Sequence, residues 1–150
     1  MKNLFQPERV SEIKARLAKL QPISERQWGN MNAPQMLAHC AMGMDLAMGD
    51  LKPPRMMIGR VLGWIIKPLA LKDDEPMRKN SPTVPMLVVS DTRDLDIERT
   101  KLLTLIDKFV AGGPKGCTTH PHSFFGPLTP DEWAIQMYKH LDHHLRQFGA

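Results

Sequence analysis

The sequence predicts an all-α protein: a four-helix bundle in which an irregular, proline-rich connection carrying a short extra helix joins the second and third helices. Three observations predict it. Four segments, residues 7–20, 32–48, 91–112 and 129–148, repeat apolar residues at the steps of three and four that give a helix one buried face. Each stops at a breaker, with Pro22, Gly49, Gly112 and Gly149 lying at or just beyond the last periodic residue. No pair of segments alternates as strands do, and residues 86–89, which read as extended, have no partner to pair with. At 150 residues the chain is one domain, residues 1–150, large enough to bury roughly two thirds of its unfolded surface.

The first helix sets Val10, Ile13, Leu17 and Leu20 on one face, with Pro7 at its first position, where a missing N–H costs nothing. Pro22, Ser24 and Gly29 make the next stretch a loop, anchored into the core by Trp28. Helix two opens with Asn32 as N-cap and Pro34 in its first turn, runs to about Met48 and is stopped by Gly49. Apart from Gln35, His39 and Asp45 it is apolar or small on every side, which marks a helix surrounded by protein and sets His39 in or beside the core. Pro53, Pro54, Pro68, Pro76, Pro82 and Pro85 then cut the chain into short pieces. One brief helix, residues 56–66, survives between them. It carries Met57, Val61, Trp64 and Ile65 along one side and reads as a cover over the bundle or a contact between subunits in a homodimer, with binding at a membrane surface as the alternative. Helix three starts near Asp91 or Asp94, faces the core with Leu95, Leu102, Ile106 and Phe109, and ends at Gly112. Helix four has the clearest start: Thr129 as N-cap, Pro130 first, Asp131 in the first turn and Glu132 completing a capping box.

Composition excludes several classes. The net charge of +4 is spread among acidic residues with no basic block, so no nucleic-acid partner is expected. The longest apolar stretch, residues 56–71, is interrupted by Arg60, Lys67 and Pro68 and falls short of the ~20 residues a spanning helix needs, so no membrane partner is expected either. Cys40 and Cys117, with no signal-peptide pattern over residues 1–20, suit a reducing, cytoplasmic setting. Eleven methionines suit an irregular core or a pocket open to varied apolar ligands. There is no glycine-rich phosphate loop, no nucleophile elbow and no paired-cysteine zinc spacing.

Histidine carries the chemistry. On a wheel of ~100° per residue, His144 falls inside the apolar arc of the last helix, about 60° from its centre, and His140 lies at its edge. Four apart, the two can aim their rings at one ion. His143 falls nearly opposite and reads as solvated. A histidine in the apolar second helix needs partners for both nitrogens, and a metal can supply one, so His39, His140 and His144 form a candidate tri-histidine site with open coordination positions. His120 and His122, flanking Pro121, could reach the rim of the same cavity. Asp45 and Asp142 are possible groups behind the ligands, although Asp142 projects outward and reads as solvated; Cys40 reads as a small core residue and Cys117 stays unassigned.

The run Trp28, Gly29, Asn30, Met31, Asn32, Ala33 leading to Met36, Leu37, Ala38, His39, Cys40, with the ending Gly126 to Trp133 and Tyr138 to Phe148, resembles the DinB-like superfamily. The resemblance implies a four-helix bundle with a divalent metal held by one histidine of the second helix and two of the last, which by position are His39, His140 and His144. Related branches include transferases and isomerases that use low-molecular-weight thiols. The expectation is thus a site for a divalent ion, zinc or nickel, with a low-molecular-weight thiol as a possible cosubstrate. It would serve a metal-dependent S-transferase or hydrolase acting on a small molecule, or else a non-catalytic metal-stabilised module or dimerisation protein.

Overall fold

The computed structural model describes residues 1–72, 74–81 and 83–150; Pro82, counted above among the chain breaks, lies outside them. Among the described residues the chain is all-helical, with five α-helices and no strand: α1 (Pro7–Leu17), α2 (Ala33–Met48), α3 (Met57–Leu71), α4 (Leu95–Gly116) and α5 (Pro130–Gln147), plus a single 3-10 turn at Pro85–Leu87. No helix among these residues is long and apolar enough to cross a membrane.

Local chemistry sets the ends. The Asn32 side chain accepts from the Gln35 N–H, and the Gln35 side chain accepts from the Asn32 N–H, so a full capping box starts α2; Gly49, at φ +85°, ends it in the left-handed conformation that glycine adopts without cost. Thr129 and Glu132 make the same reciprocal pair at the start of α5. Gly113, at φ +55°, breaks the helical path of α4, so its straight part stops at the expected Gly112.

Packing follows the predicted faces. α2 lies against α4 and α5, while α1 packs on α5 and α4. Between them Ile13, Leu17, Leu102, Ile106, Phe109 and Trp133 are buried, each contributing roughly 1.5–3 kcal/mol relative to an exposed position. α2 is enclosed as its composition requires, with Met36, Leu37, Ala41 and Met44 all fully buried.

The connection departs from expectation in three ways. α3 is not brief: it continues through Pro68 to Leu71, whose buried side chain holds the final turn. Its apolar side does not cover the interior, because Met57, Val61, Trp64 and Ile65 are all exposed. The inward side is instead Gly59 and Gly63, which lie against the backbone of Phe124 and Phe125 so closely that a Cβ at Gly59 would stand 2.6 Å from the Phe124 carbonyl oxygen. A helix turns its smallest residues toward a neighbour that approaches this near, which sends the large ones outward. Residues 85–87, lastly, form the 3-10 turn where an extended run was expected, and Leu87 is buried against the core.

A candidate metal centre

The packing of α2 on α5 brings three imidazoles together. His39, at the middle of α2, and His144 are buried, and His140 is partly buried between them. Ring centroids stand 5.0 Å apart for His39–His140, 4.8 Å for His39–His144 and 4.8 Å for His140–His144, all edge-to-face. One ring nitrogen from each lies within 4.8 Å of the others, and His39 Nε2 is 3.0 Å from His140 Nε2. Nitrogens around one tetrahedral zinc sit roughly 3.3 Å apart, from bonds of ~2.0–2.1 Å. The cluster therefore has the dimensions to hold a metal ion.

The hydrogen bonds behind the rings fix which nitrogens face inward. His39 Nδ1 lies 2.8 Å from the Leu87 carbonyl, which can only accept, so Nδ1 carries the proton and Nε2 presents a lone pair. At His144 the partner is itself oriented by a second bond. Gln147 Nε2 donates to the Trp28 carbonyl at 2.7 Å, which turns Gln147 Oε1 toward His144 Nδ1 at 2.8 Å. His144 Nδ1 is thus also the protonated nitrogen, and its Nε2 is free. Gly29 makes room for this arrangement, since a Cβ there would stand 2.5 Å from Gln147 Nε2. His140 Nδ1 is buried without a hydrogen-bond partner, and Gly43 of α2 is its neighbour, where a Cβ would meet the ring at 3.0 Å. Two rings are locked as metal ligands usually are, by a group bonded to the opposite nitrogen; His140 is held by packing and by its Nε2, which donates to the bare His39 Nε2.

The surroundings keep these rings neutral. Burial lowers the pKa of His39 against the opposing pull of the Leu87 carbonyl; burial and then His144 and His39 hold His140 well below the ordinary value; and burial with His39 brings His144 to about 3. Neutral imidazole is the form that binds a metal.

The other predicted residues separate. His122 lies beside Trp133 of α5, with ring centroids 5.6 Å apart and the planes tilted, and is not one of the three clustered rings. Its Nδ1 accepts from the Phe124 and Phe125 N–H groups at 3.1 and 3.2 Å, leaving the proton on Nε2, and burial then Arg55 lower its pKa to about 4. His120 turns away, its Nε2 donating to the Pro53 carbonyl at 3.2 Å. Asp45 is half-buried, with Lys101, Asp50 and Lys108 as its charged neighbours, and is not part of the cluster.

Two readings from the wheel are corrected. His143 is buried, its ring 5.5 Å from that of Trp28 and 5.0 Å from that of His144, and Asp142 is buried too, bonded by Arg16 and Arg146 at 2.7 Å each. Burial pushes the Asp142 carboxyl up, and the two guanidinium groups outweigh it and hold it low. The outer side of α5 is covered, by α1 at Asp142 and by the 76–79 segment at His143, and one helix seen alone cannot show that. A surface cleft of about 400 Å³ is lined by Trp28, Met77, Lys79, His143 and Arg146 among others, and the His143 ring in its wall stands 5.0 Å from that of His144.

Sequence reasoning missed Leu87, Gln147, Gly29 and Gly43. Gln147 was within reach, because a residue three after His144 shares its face. Leu87 was not, since nothing in a proline-rich connection announces which carbonyl will meet α2.

A helical protein with a three-histidine cluster that could hold a metal is the class that fold and geometry define. The chain belongs to the family described as "Protein of unknown function (DUF1569)", whose model matches residues 5–150. No curated protein and no solved structure matched the chain.

Proposed function

We propose that this chain is a single-domain, DinB-like protein in which α1, α2, α4 and α5 act as a four-helix bundle and His39, His140 and His144 bind one divalent ion, zinc or nickel. The observation that carries the reading is the pair of locked tautomers: the Leu87 carbonyl and the Gln147 amide oxygen each accept a hydrogen bond from an Nδ1–H and leave a bare Nε2 turned inward. A polar core built only for stability would not need two neutral rings locked with bare Nε2 atoms beside a third buried imidazole whose Nδ1 has no partner.

The reaction we propose is a metal-dependent S-transfer or hydrolysis on a small molecule. Bound to three uncharged ligands, a divalent ion keeps its full charge and lowers the pKa of a thiol or water beside it. The chain's own groups do the rest. Leu87 and Gln147 orient the rings, and His122, neutral with its proton on Nε2, can donate to a substrate at the rim. The attacking thiol is a small cosubstrate. Cys40 is wholly buried with its thiol pushed far up by burial, and burial with Asp131 pushes Cys117 up to about 11, so neither is a thiolate at neutral pH.

Elemental analysis of protein purified without a chelating resin tests the centre: one ion per chain is expected, falling below about a tenth in His144→Ala. Thiol-conjugating and hydrolytic rates with and without chelator test the chemistry. Equal rates would remove the ion from any reaction, and a bound ion that raises the melting temperature without supporting turnover would leave the second reading, a non-catalytic tie between α2 and α5.

A further inference from the structure

The histidine centre leaves one part of the molecule unexplained, the outer side of α3. Met57, Ile58, Val61, Trp64, Ile65 and Leu69 fall within about 140–160° of one another on the helix wheel, and all are exposed, Trp64 by 72% and Met57 by 75%. This is a continuous ridge, unlike the scattered apolar residues of an ordinary surface. It is also rigid before anything binds, because Gly59 and Gly63 seat the helix directly on the Phe124 backbone and Lys67 is tied to Glu132 of α5 at 2.8 Å and to the Pro127 carbonyl at 2.9 Å.

Charge and size together select the occupant. From residue 51 to residue 72 the chain contains Lys52, Arg55, Arg60, Lys67 and Lys72 and no aspartate or glutamate; Lys67 is paired with Glu132, and the acidic residues 73–75 come only after the helix has ended. Arg60 stands at the edge of the ridge and Lys72 at its C-terminal end, both exposed. A second copy seated ridge to ridge would bring Arg60 near its own counterpart with no acidic residue on the ridge itself. A single helix ridge is also well short of the roughly 20–30 residues a side that a stable protein interface uses. A bilayer requires neither self-complementarity nor a broad interface: a helix lying flat gains from apolar side chains, tryptophan especially, entering the region below the headgroups, and from flanking cations near anionic lipid.

We propose that α3 is a membrane-surface helix, seating its ridge in the face of an anionic phospholipid bilayer with Arg60 and Lys72 at the headgroups. No spanning segment is involved. The sequence alone favours a covering or subunit role for these residues, and it is their outward orientation in the fold that changes the reading.

Co-sedimentation with vesicles of phosphatidylcholine alone, or of phosphatidylcholine mixed with phosphatidylglycerol, tests this on the full chain. Wild type should partition onto the mixed vesicles, about tenfold or more above the neutral ones, and the difference should shrink as salt is raised. The variant Val61→Ser/Trp64→Ser/Ile65→Ser alters only exposed side chains, so it should keep its helical circular dichroism and metal content while losing binding about tenfold or more. Arg60→Glu/Lys72→Glu should abolish the preference for anionic vesicles. Wild type that stays in the supernatant with both compositions overturns the proposal, as does a triple variant that binds as well as wild type. Light scattering that finds a dimer which the triple variant dissociates, with no vesicle binding, assigns the ridge to a second copy instead.

Discussion

The Nδ1–H of His144 meets a glutamine side chain, and the outcome depends on an amide that could point either way. The Trp28 carbonyl decides the matter by taking the Gln147 N–H, and Gly29 leaves space for it. Gln147→Ala should therefore weaken metal binding by about 10–100-fold, the usual cost of removing the partner behind a histidine ligand, while circular dichroism stays that of a folded helical protein. Gln147→Glu would keep an acceptor for His144 but set its second oxygen against the Trp28 carbonyl, which also only accepts, so it should restore only part of the affinity. Titration with zinc, competed against a chelator, reads both; equal affinities for Gln147→Ala and wild type would show that the ring needs no such support. Gly43 works from the opposite side. Its missing Cβ lets the His140 ring stand against α2, so Gly43→Ala should also weaken the metal, by displacing the ring and not by removing a bond.

At the level of helices, α5 carries the most. It supplies two of the three clustered rings, and its start is set by the Thr129–Glu132 box. Thr129→Ala should destabilise the fold by about 1 kcal/mol, seen as a lower midpoint in denaturant with an unchanged slope, while metal stoichiometry is kept, because His140 and His144 lie three or more turns away. α3 shows how a helix and a loop constrain each other. Its glycines accept the Phe124 backbone at close range, so a residue larger than glycine at 59 or 63 would push α3 away from the loop that carries His122.

The pH behaviour belongs to the whole molecule, since it sums groups on α2, α5 and the loop before α5. His39, His140, His143, His144 and His122 all have pKa values below the ordinary one in the folded state, with burial the leading cause in each. As pH falls through about 6.5, the unfolded chain takes up protons that the folded chain still refuses, so folding stability is highest above that value. It declines until the folded rings themselves protonate, near about 4 for His122 and about 3 for His144. Metal-free protein should thus melt at progressively lower temperature between about pH 7 and pH 5, a window above the range where lowered carboxylates such as Asp142 begin to contribute. A melting temperature that is flat across that window would contradict neutral buried rings. Metal-loaded protein should keep its ion across that window and lose it only at lower pH, where the folded rings themselves take up protons, near about 3 for His144, because protons and the ion compete for the same lone pairs.

Much of this was legible in the residues themselves. Helix starts were readable because capping is local: Asn32 and Thr129 bond to N–H groups three positions on, and no distant contact is needed. The inward faces of α1, α4 and α5 were readable because burial imposes a 3.6-residue period on composition, and the same wheel placed His144 inward and His140 at the edge. What the chain folds against could not be read in this way. His143 and Asp142 are buried by segments more than sixty residues distant, the tautomer of His39 depends on a carbonyl 48 positions away, and the apolar side of α3 faces outward because a glycine pair found a backbone to rest on. Periodicity reports which side of a helix is apolar. Which side is covered depends on the shape of its neighbours, and that is settled by long-range packing alone.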